Sequence, residues 1–202
     1  MRPKLLLATN NQAKVREYKS LLQDLPCELV TLAEQGINIS VSEVGESLEE
    51  NARLKATVLA AESQLIALAD DSGLEVDALG GEPGRLSARY AGEGASDRDR
   101  INYLLTRLEG VPEEKRSARF RCVIAIATPD GKVALCSGEC QGFITLAPRG
   151  EQGFGYDPIF YLPELGKTMA ELPLQLKNQV SHRGRAARQV SQALEKLKEQ
   201  KI

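Results

Sequence analysis

Leu5-Leu6-Leu7-Ala8 is apolar at every position. A strand with one wet face alternates, so an unbroken run this short reads as a strand buried on both faces, in a sheet covered by helices. The next segments supply such helices. Thr9-Asn10-Asn11 offers helix caps, and residues 12–23 carry Val15, Tyr18, Leu21 and Leu22 at helical spacing. Residues 28–32 read as a second strand. Ser47 and Glu50 form a capping-box pattern opening a helix that runs to about Glu62. Residues 65–69 are a third apolar strand, ending at Asp70-Asp71-Ser72-Gly73. The order β-α-β-α-β predicts an α/β fold.

Beyond this point the pattern changes. Residues 80–94 hold five Gly and a Pro and read as a functional loop. Residues 97–108 predict a helix with Ile101, Leu104, Leu105 and Leu108 on one face. Phe120, Cys122, Ile124 and Ile126 alternate as in a strand, Pro129-Asp130-Gly131-Lys132 turns the chain, and residues 133–143 return as a hairpin arm. A last helix is expected after Ser181, with Ala187, Val190, Leu194 and Leu197 as its apolar stripe. There is no repeat, low-complexity segment or linker, so residues 1–202 read as one domain.

Composition narrows the partners. A formal net charge of -2 provides no global positive field for nucleic acid. The apolar run near the start is too short for a membrane span or a signal core. Cys27, Cys122, Cys136 and Cys140 form no CxxC pair, and one His leaves little for zinc. Unpatterned cysteines predict a reducing, cytoplasmic setting.

Five segments could carry chemistry. Thr9-Asn10-Asn11-Gln12-Ala13-Lys14 joins a buried strand to a helix start, where free N–H groups and the helix dipole favour phosphate; a plain cap with a solvated Lys is the alternative. Asp70-Asp71-Ser72-Gly73 places two carboxylates at a strand end, where open α/β sheets keep their ligands and hard oxygens suit Mg²⁺; an Asx-turn is the alternative. Strand alternation lets at most one of the pair point into a site. Asn51 and Lys55 share a helix face and could offer a donor and a cation to a polyphosphate, while Glu43 in the preceding loop is a possible second metal ligand. Phe154-Gly155-Tyr156-Asp157-Pro158-Ile159-Phe160 concentrates scarce aromatics that could stack on a base, with Asp157 reading a ring N–H; Phe160 is expected in the core. Lys177 leads into Ser181-His182-Arg183, cations at a helix start that the dipole disfavours, which suggests donors facing a ligand.

Taken in order, these motifs resemble the inosine triphosphate pyrophosphatase family, the non-standard purine NTP pyrophosphatases. The matching residues are Thr9-x-Asn11-x-x-Lys14, Glu50-Asn51-Ala52-x-x-Lys55-Ala56, Asp70-Asp71-Ser72-Gly73-Leu74, Pro83-Gly84-x-x-Ser87-Ala88-Arg89-Tyr90, Phe154 to Phe160 and Ser181-His182-Arg183. Asn10 stands where many members of the family carry Gly. The resemblance implies a long, mixed, twisted central sheet flanked by helices, in two lobes with an active-site cleft between them, and a homodimer. It implies hydrolysis of ITP, dITP and XTP to the monophosphate and pyrophosphate, cleansing the nucleotide pool, with Mg²⁺ as cofactor. By the same resemblance Asp71 is the general base and a metal ligand, with Glu43 as its partner. Thr9 to Lys14, Lys55 and Ser72 hold the triphosphate, and Phe154 to Asp157, Lys177, His182 and Arg183 read the purine. Two other readings fit parts of the pattern: a metal phosphatase that removes the terminal phosphate, and a nucleotide-sensing or RNA-binding module built on the aromatic heptad. The carboxylate pair and net acidity oppose the latter.

Overall fold

A computed structural model describes residues 2–199. The strands are β1 (Lys4–Leu7), β2 (Glu28–Thr31), β3 (Ile66–Val76), β4 (Pro83–Gly84), β5 (Ser117–Ala127), β6 (Val133–Ile144), β7 (Phe160–Leu162) and β8 (Lys167–Thr168). The helices are α1 (Gln12–Leu21), α2 (Leu48–Ser63), α3 (Asp97–Arg107), α4 (Leu174–Val180), α5 (His182–Ala187) and α6 (Val190–Glu199). Among the described residues the strands form one sheet in the order β2-β1-β3-β5-β6-β7-β8, with β4 paired to β3 off this path. β1 is parallel to β2 and β3, whereas β4 runs antiparallel to β3 and β7 antiparallel to β6 and β8. The expected α/β fold with a mixed, twisted, helix-flanked sheet is therefore found.

The described residues divide into two compact units, each drawn from separate stretches: residues 2–71, 122–138 and 183–199, and residues 72–121 and 139–182. The first unit explains the unbroken apolar runs. Leu5, Leu7, Leu68, Cys122, Ile124 and Ile126 face α1, α5 and α6 through Val15, Tyr18, Ala186 and Val190. Leu6, Ala8, Ala67, Ala69, Val123 and Ala125 face α2 through Ala52, Ala56 and Ala60. Both faces of β1 and of the first-unit stretches of β3 and β5 are buried, as Leu5 to Ala8 predicted. Alanines on both sides of the second layer let α2 lie close to the sheet.

The second unit has its own core. Leu74, Val76, Phe120, Cys140 and Ile144 on the strands pack against Ile101, Leu104 and Leu108 of the α3 region and against Ile159, Phe160 and Met169. Arg116, 5% exposed, closes the end of α3 by donating to the carbonyls of Leu108 (2.9 Å), Val111 (3.0 Å) and Thr145 (3.3 Å). A buried cation is tolerated there because it meets the negative end of the helix.

Several expectations are corrected. The third strand does not stop before Asp70 but continues to Val76. Gly73 lies within this strand and is required by space, since a Cβ there would overlap the Gly84 carbonyl oxygen. The single helix expected after Ser181 is interrupted between Ala187 and Val190, although Val190, Ala193 and Leu197 do form its buried stripe. Ser47 caps α2 by accepting from Glu50 N, but the Glu50 carboxylate accepts from Glu46 N and not from Ser47, so the capping box is incomplete.

Candidate active site

In the first unit, strand pleating decides the roles of the acidic pair. β1 ends at Leu7, paired with Leu68, so Asp70 and Asp71 lie just past the carboxyl end of their parallel neighbour. Consecutive side chains point to opposite faces. Asp70 therefore meets the α1 and α5 layer, and Asp71 meets α2.

Asp70 accepts from Lys14 Nζ at 3.0 Å and from Arg183 at 3.3 Å, and the same guanidinium donates to Glu17 at 2.7 Å. Burial works against ionised Asp70, but Lys14, Arg183 and Lys55 outweigh it and hold its pKa well below the usual carboxylate range. This carboxylate is a fixed negative charge that places two cations. Arg183, expected to read a base, has its guanidinium in this cluster. The odd cation at the start of α5 is accounted for by Glu17 and Asp70, not by the helix it begins.

Asp71 accepts from Asn51 Nδ2 and from Lys55 Nζ, each at 3.2 Å. Lys55 also donates to Glu43 at 2.8 Å and to the Asp70 carbonyl at 2.7 Å. One ammonium thus gathers three oxygens, two of them carboxylates. Burial, reinforced by Glu43, pushes the Asp71 pKa up against the opposing pull of Lys55, Lys14 and Asn51. The Lys55 pKa is raised too: burial alone would lower it, but Asp71, Asp70 and Glu43 prevail. Asp71 is the strained member of the pair, its charged form disfavoured by burial and by Glu43 at close range.

Two carboxylates around one cation are a donor set that suits a small divalent ion. Mg²⁺ is commonly held by one or two carboxylates, with water and phosphate oxygens completing its shell. Among the described residues no group of three His, Cys, Asp or Glu side chains is arranged to hold a metal unaided. Asp71 and Glu43 fit the role of a partial shell completed by substrate.

The loop before α1 is more occupied than its sequence implied. Asn11 caps the helix, its Oδ1 accepting from Ala13 N (2.9 Å) and Lys14 N (3.1 Å), and Thr9 Oγ1 accepts from Asn11 N (3.2 Å). The N–H groups of Asn10 and Gln12 have no protein acceptor among the described residues, at a helix start whose dipole suits an anion. Ser72 follows Asp71 on β3 as the first residue of the second unit.

In the second unit, Phe154, Gly155, Tyr156, Asp157, Lys177 and His182 are found. Asp157 Oδ2 accepts from Lys177 Nζ at 2.5 Å and from Phe154 N at 2.9 Å, with both side chains of the ion pair almost fully buried. The Lys177 ammonium lies 4.9 Å from the centre of the Phe154 ring, which is half-buried. Gly155 N donates to Asp97 at 2.7 Å. Tyr156 is core, not a stacking face: it is buried, its hydroxyl donates to the Ser87 carbonyl at 3.0 Å, and burial raises its pKa. Phe160 is fully buried, as expected. His182 stacks on Phe120, ring centres 4.6 Å apart.

Sequence reasoning missed Glu17 and Asp97. A carboxylate between Val15 and Tyr18, on the buried stripe of α1, was the available signal for Glu17. Asp97 reads locally as a first-turn acid, and its bond to Gly155 has no local signal.

The Ham1 family profile matches residues 5–193. The chain belongs to the Ham1 family. It is 54% identical to the dITP/XTP pyrophosphatase of Geobacter sulfurreducens, covering 91% of this chain and 92% of that protein. It is 52% identical to a dITP/XTP pyrophosphatase of Thermus thermophilus, covering 94% and 91%. The solved structure of a HAM1 protein from Coxiella burnetii superposes with a TM-score of 0.86 at 42% identity, covering 96% of this chain and 99% of that one. Membership bears out the resemblance drawn from the ordered motifs. No helix among the described residues is long and apolar enough to cross a membrane.

Proposed function

We propose that this chain hydrolyses non-standard purine nucleoside triphosphates, dITP, XTP and ITP, to the monophosphate and pyrophosphate. The observation that carries the proposal is the Asp71 carboxylate, held by Asn51 and Lys55 beside Glu43. The names of the relatives support the substrate class.

The reaction takes one water. Its oxygen bonds to the α-phosphorus, the bond from that phosphorus to the bridging oxygen breaks, and pyrophosphate departs with the electron pair. Asp71 accepts the water proton. The step requires only an ionised carboxylate within hydrogen-bond reach of the water. Lys14 and Lys55, placed by Asp70, Asp71 and Glu43, meet phosphate oxygens, and the Asn10 and Gln12 N–H groups add neutral donors. Asp71 and Glu43 would hold Mg²⁺, which when bound neutralises phosphate charge and stabilises the departing pyrophosphate.

Discrimination of 6-oxopurines from adenine follows from the Asp157–Lys177 pair. Hypoxanthine and xanthine present N1–H as a donor beside O6 as an acceptor, which complements a carboxylate beside an ammonium. Adenine presents N1 as an acceptor beside an amino group, so both partners are mismatched. Sites that hydrogen-bond their substrate reject such mismatches by roughly 10⁴-fold. Phe154, half-buried, is the stacking face. Pyrophosphate and IMP as the products from ITP and Mg²⁺, with ATP spared, support this reading; orthophosphate and IDP oppose it.

A further inference from the structure

We infer that Asn51 is a positioning residue that sets the spacing of the two proposed cation ligands, Asp71 and Glu43, rather than a donor to phosphate. The inference deepens the proposed function and rests on its assignment of that pair.

Asn51 is completely buried in the first turn of α2. Its amide joins two elements. Nδ2 donates to Asp71 Oδ2 at 3.2 Å, and Oδ1 accepts from Gly45 N at 2.8 Å. Gly45 lies two residues after Glu43. The same stretch is fastened again where Glu46 N donates to Glu50 at 2.7 Å. The loop lies so close to α2 that a Cβ on Gly45 would come within 2.8 Å of Asn51 Oδ1 and of Glu50 Cβ. One rigid amide therefore fixes the Asp71 carboxylate with one end and the Glu43 loop with the other. Its orientation is dictated, because the carboxylate demands a donor and the backbone N–H an acceptor. Asn51 also leaves the second Asp71 oxygen to Lys55.

Groups that orient metal ligands without touching the metal typically change its affinity by about 10- to 100-fold when removed. The test uses the full chain with the α,β-imido analogue of ITP, which cannot be cut, and Mn²⁺ titrated by electron paramagnetic resonance. Asn51→Ala and Gly45→Ala approach the same contact from opposite sides. Each should weaken Mn²⁺ binding by about 10- to 100-fold. In turnover each should lower kcat more than it raises KM for ITP, with kcat partly restored by excess Mg²⁺, which a merely unfolded fraction would not show. Wild-type Mn²⁺ affinity in folded Asn51→Ala overturns the inference. If that variant does not fold, Gly45→Ala decides in the same way. Asp71→Asn separates the two levels: unchanged Mn²⁺ affinity there removes the cation site itself, and the parent reading with it.

Discussion

Replacing Arg183 by Met keeps much of the apolar stem but deletes a guanidinium whose side chain is only 2% exposed. Its acceptors, Glu17 and Asp70, are 5% and 0% exposed. Lys14 still serves one oxygen of Asp70. Breaking a buried pair from one side costs about 3–5 kcal/mol, because the remaining charge stays buried. For a chain of this size that corresponds to a melting-point drop of roughly 6–20 °C. Urea unfolding, followed by circular dichroism at several pH values, measures it directly.

The sign with pH is specific. Asp70 has a depressed pKa in the folded protein, so its contribution is complete above the unfolded value of about 3.9 and is lost as pH falls through the folded one. In the variant Asp70 loses a cation, its folded pKa rises, and protonation relieves it at milder acidity. The deficit should therefore be largest at neutral pH and shrink as the pH falls into the acid range. Arg183→Lys should recover only part of it, since Arg183 reaches Glu17 and Asp70 with two separate guanidinium nitrogens and a shorter side chain ending in one nitrogen lacks that spread. A loss below about 1 kcal/mol, or one constant with pH, would refute the clamp.

Asp71→Asn should reduce kcat by about 10²- to 10⁴-fold without lowering thermal stability at neutral pH, because the removed charge is disfavoured by burial; near wild-type turnover removes Asp71 from the chemistry. Lys14→Ala should raise KM for the triphosphate, and steady-state kinetics returning an unchanged KM would exclude it from the phosphate site. Lys177→Met should shrink the preference for ITP over ATP by roughly 10- to 150-fold, the worth of a charged hydrogen bond of about 1.5–3 kcal/mol, and would also destabilise the fold by leaving Asp157 buried; an intact preference sinks the base-reading scheme. Gly153→Ala attacks the same pair, because a Cβ would overlap Asp157 Oδ2 at a φ of +76°. It too should erode selectivity, as parallel ITP and ATP assays would reveal.

How far the sequence carries the argument depends on how local each interaction is. Leu5 to Ala8, the α1 stripe and the Asn11 and Ser47 caps depend on neighbours within a turn or a strand, and each was legible. Asp70 and Asp71 were located as a pair, but their division between two faces required β3 to continue, and a polar run inside a strand resembles a turn. The strand tolerates two carboxylates because Lys14, Arg183, Lys55 and Asn51 meet them from helices distant in sequence. The division into two units is equally non-local: β3, β5 and β6 each pass from one to the other without a linker, so no composition shift marks the boundary. Arg183 shows the same limit. Its motif was recognised, whereas its partners Glu17 and Asp70 come from α1 and β3.

The proposed cut is at the α-phosphorus of a 6-oxopurine nucleotide. Its most direct test is product analysis of purified protein with ITP and Mg²⁺, beside ATP, in ¹⁸O-labelled water. IMP carrying the label, with unlabelled pyrophosphate and ATP nearly untouched, is the predicted result. Orthophosphate with IDP, label in the pyrophosphate, or equal turnover of ATP would contradict it.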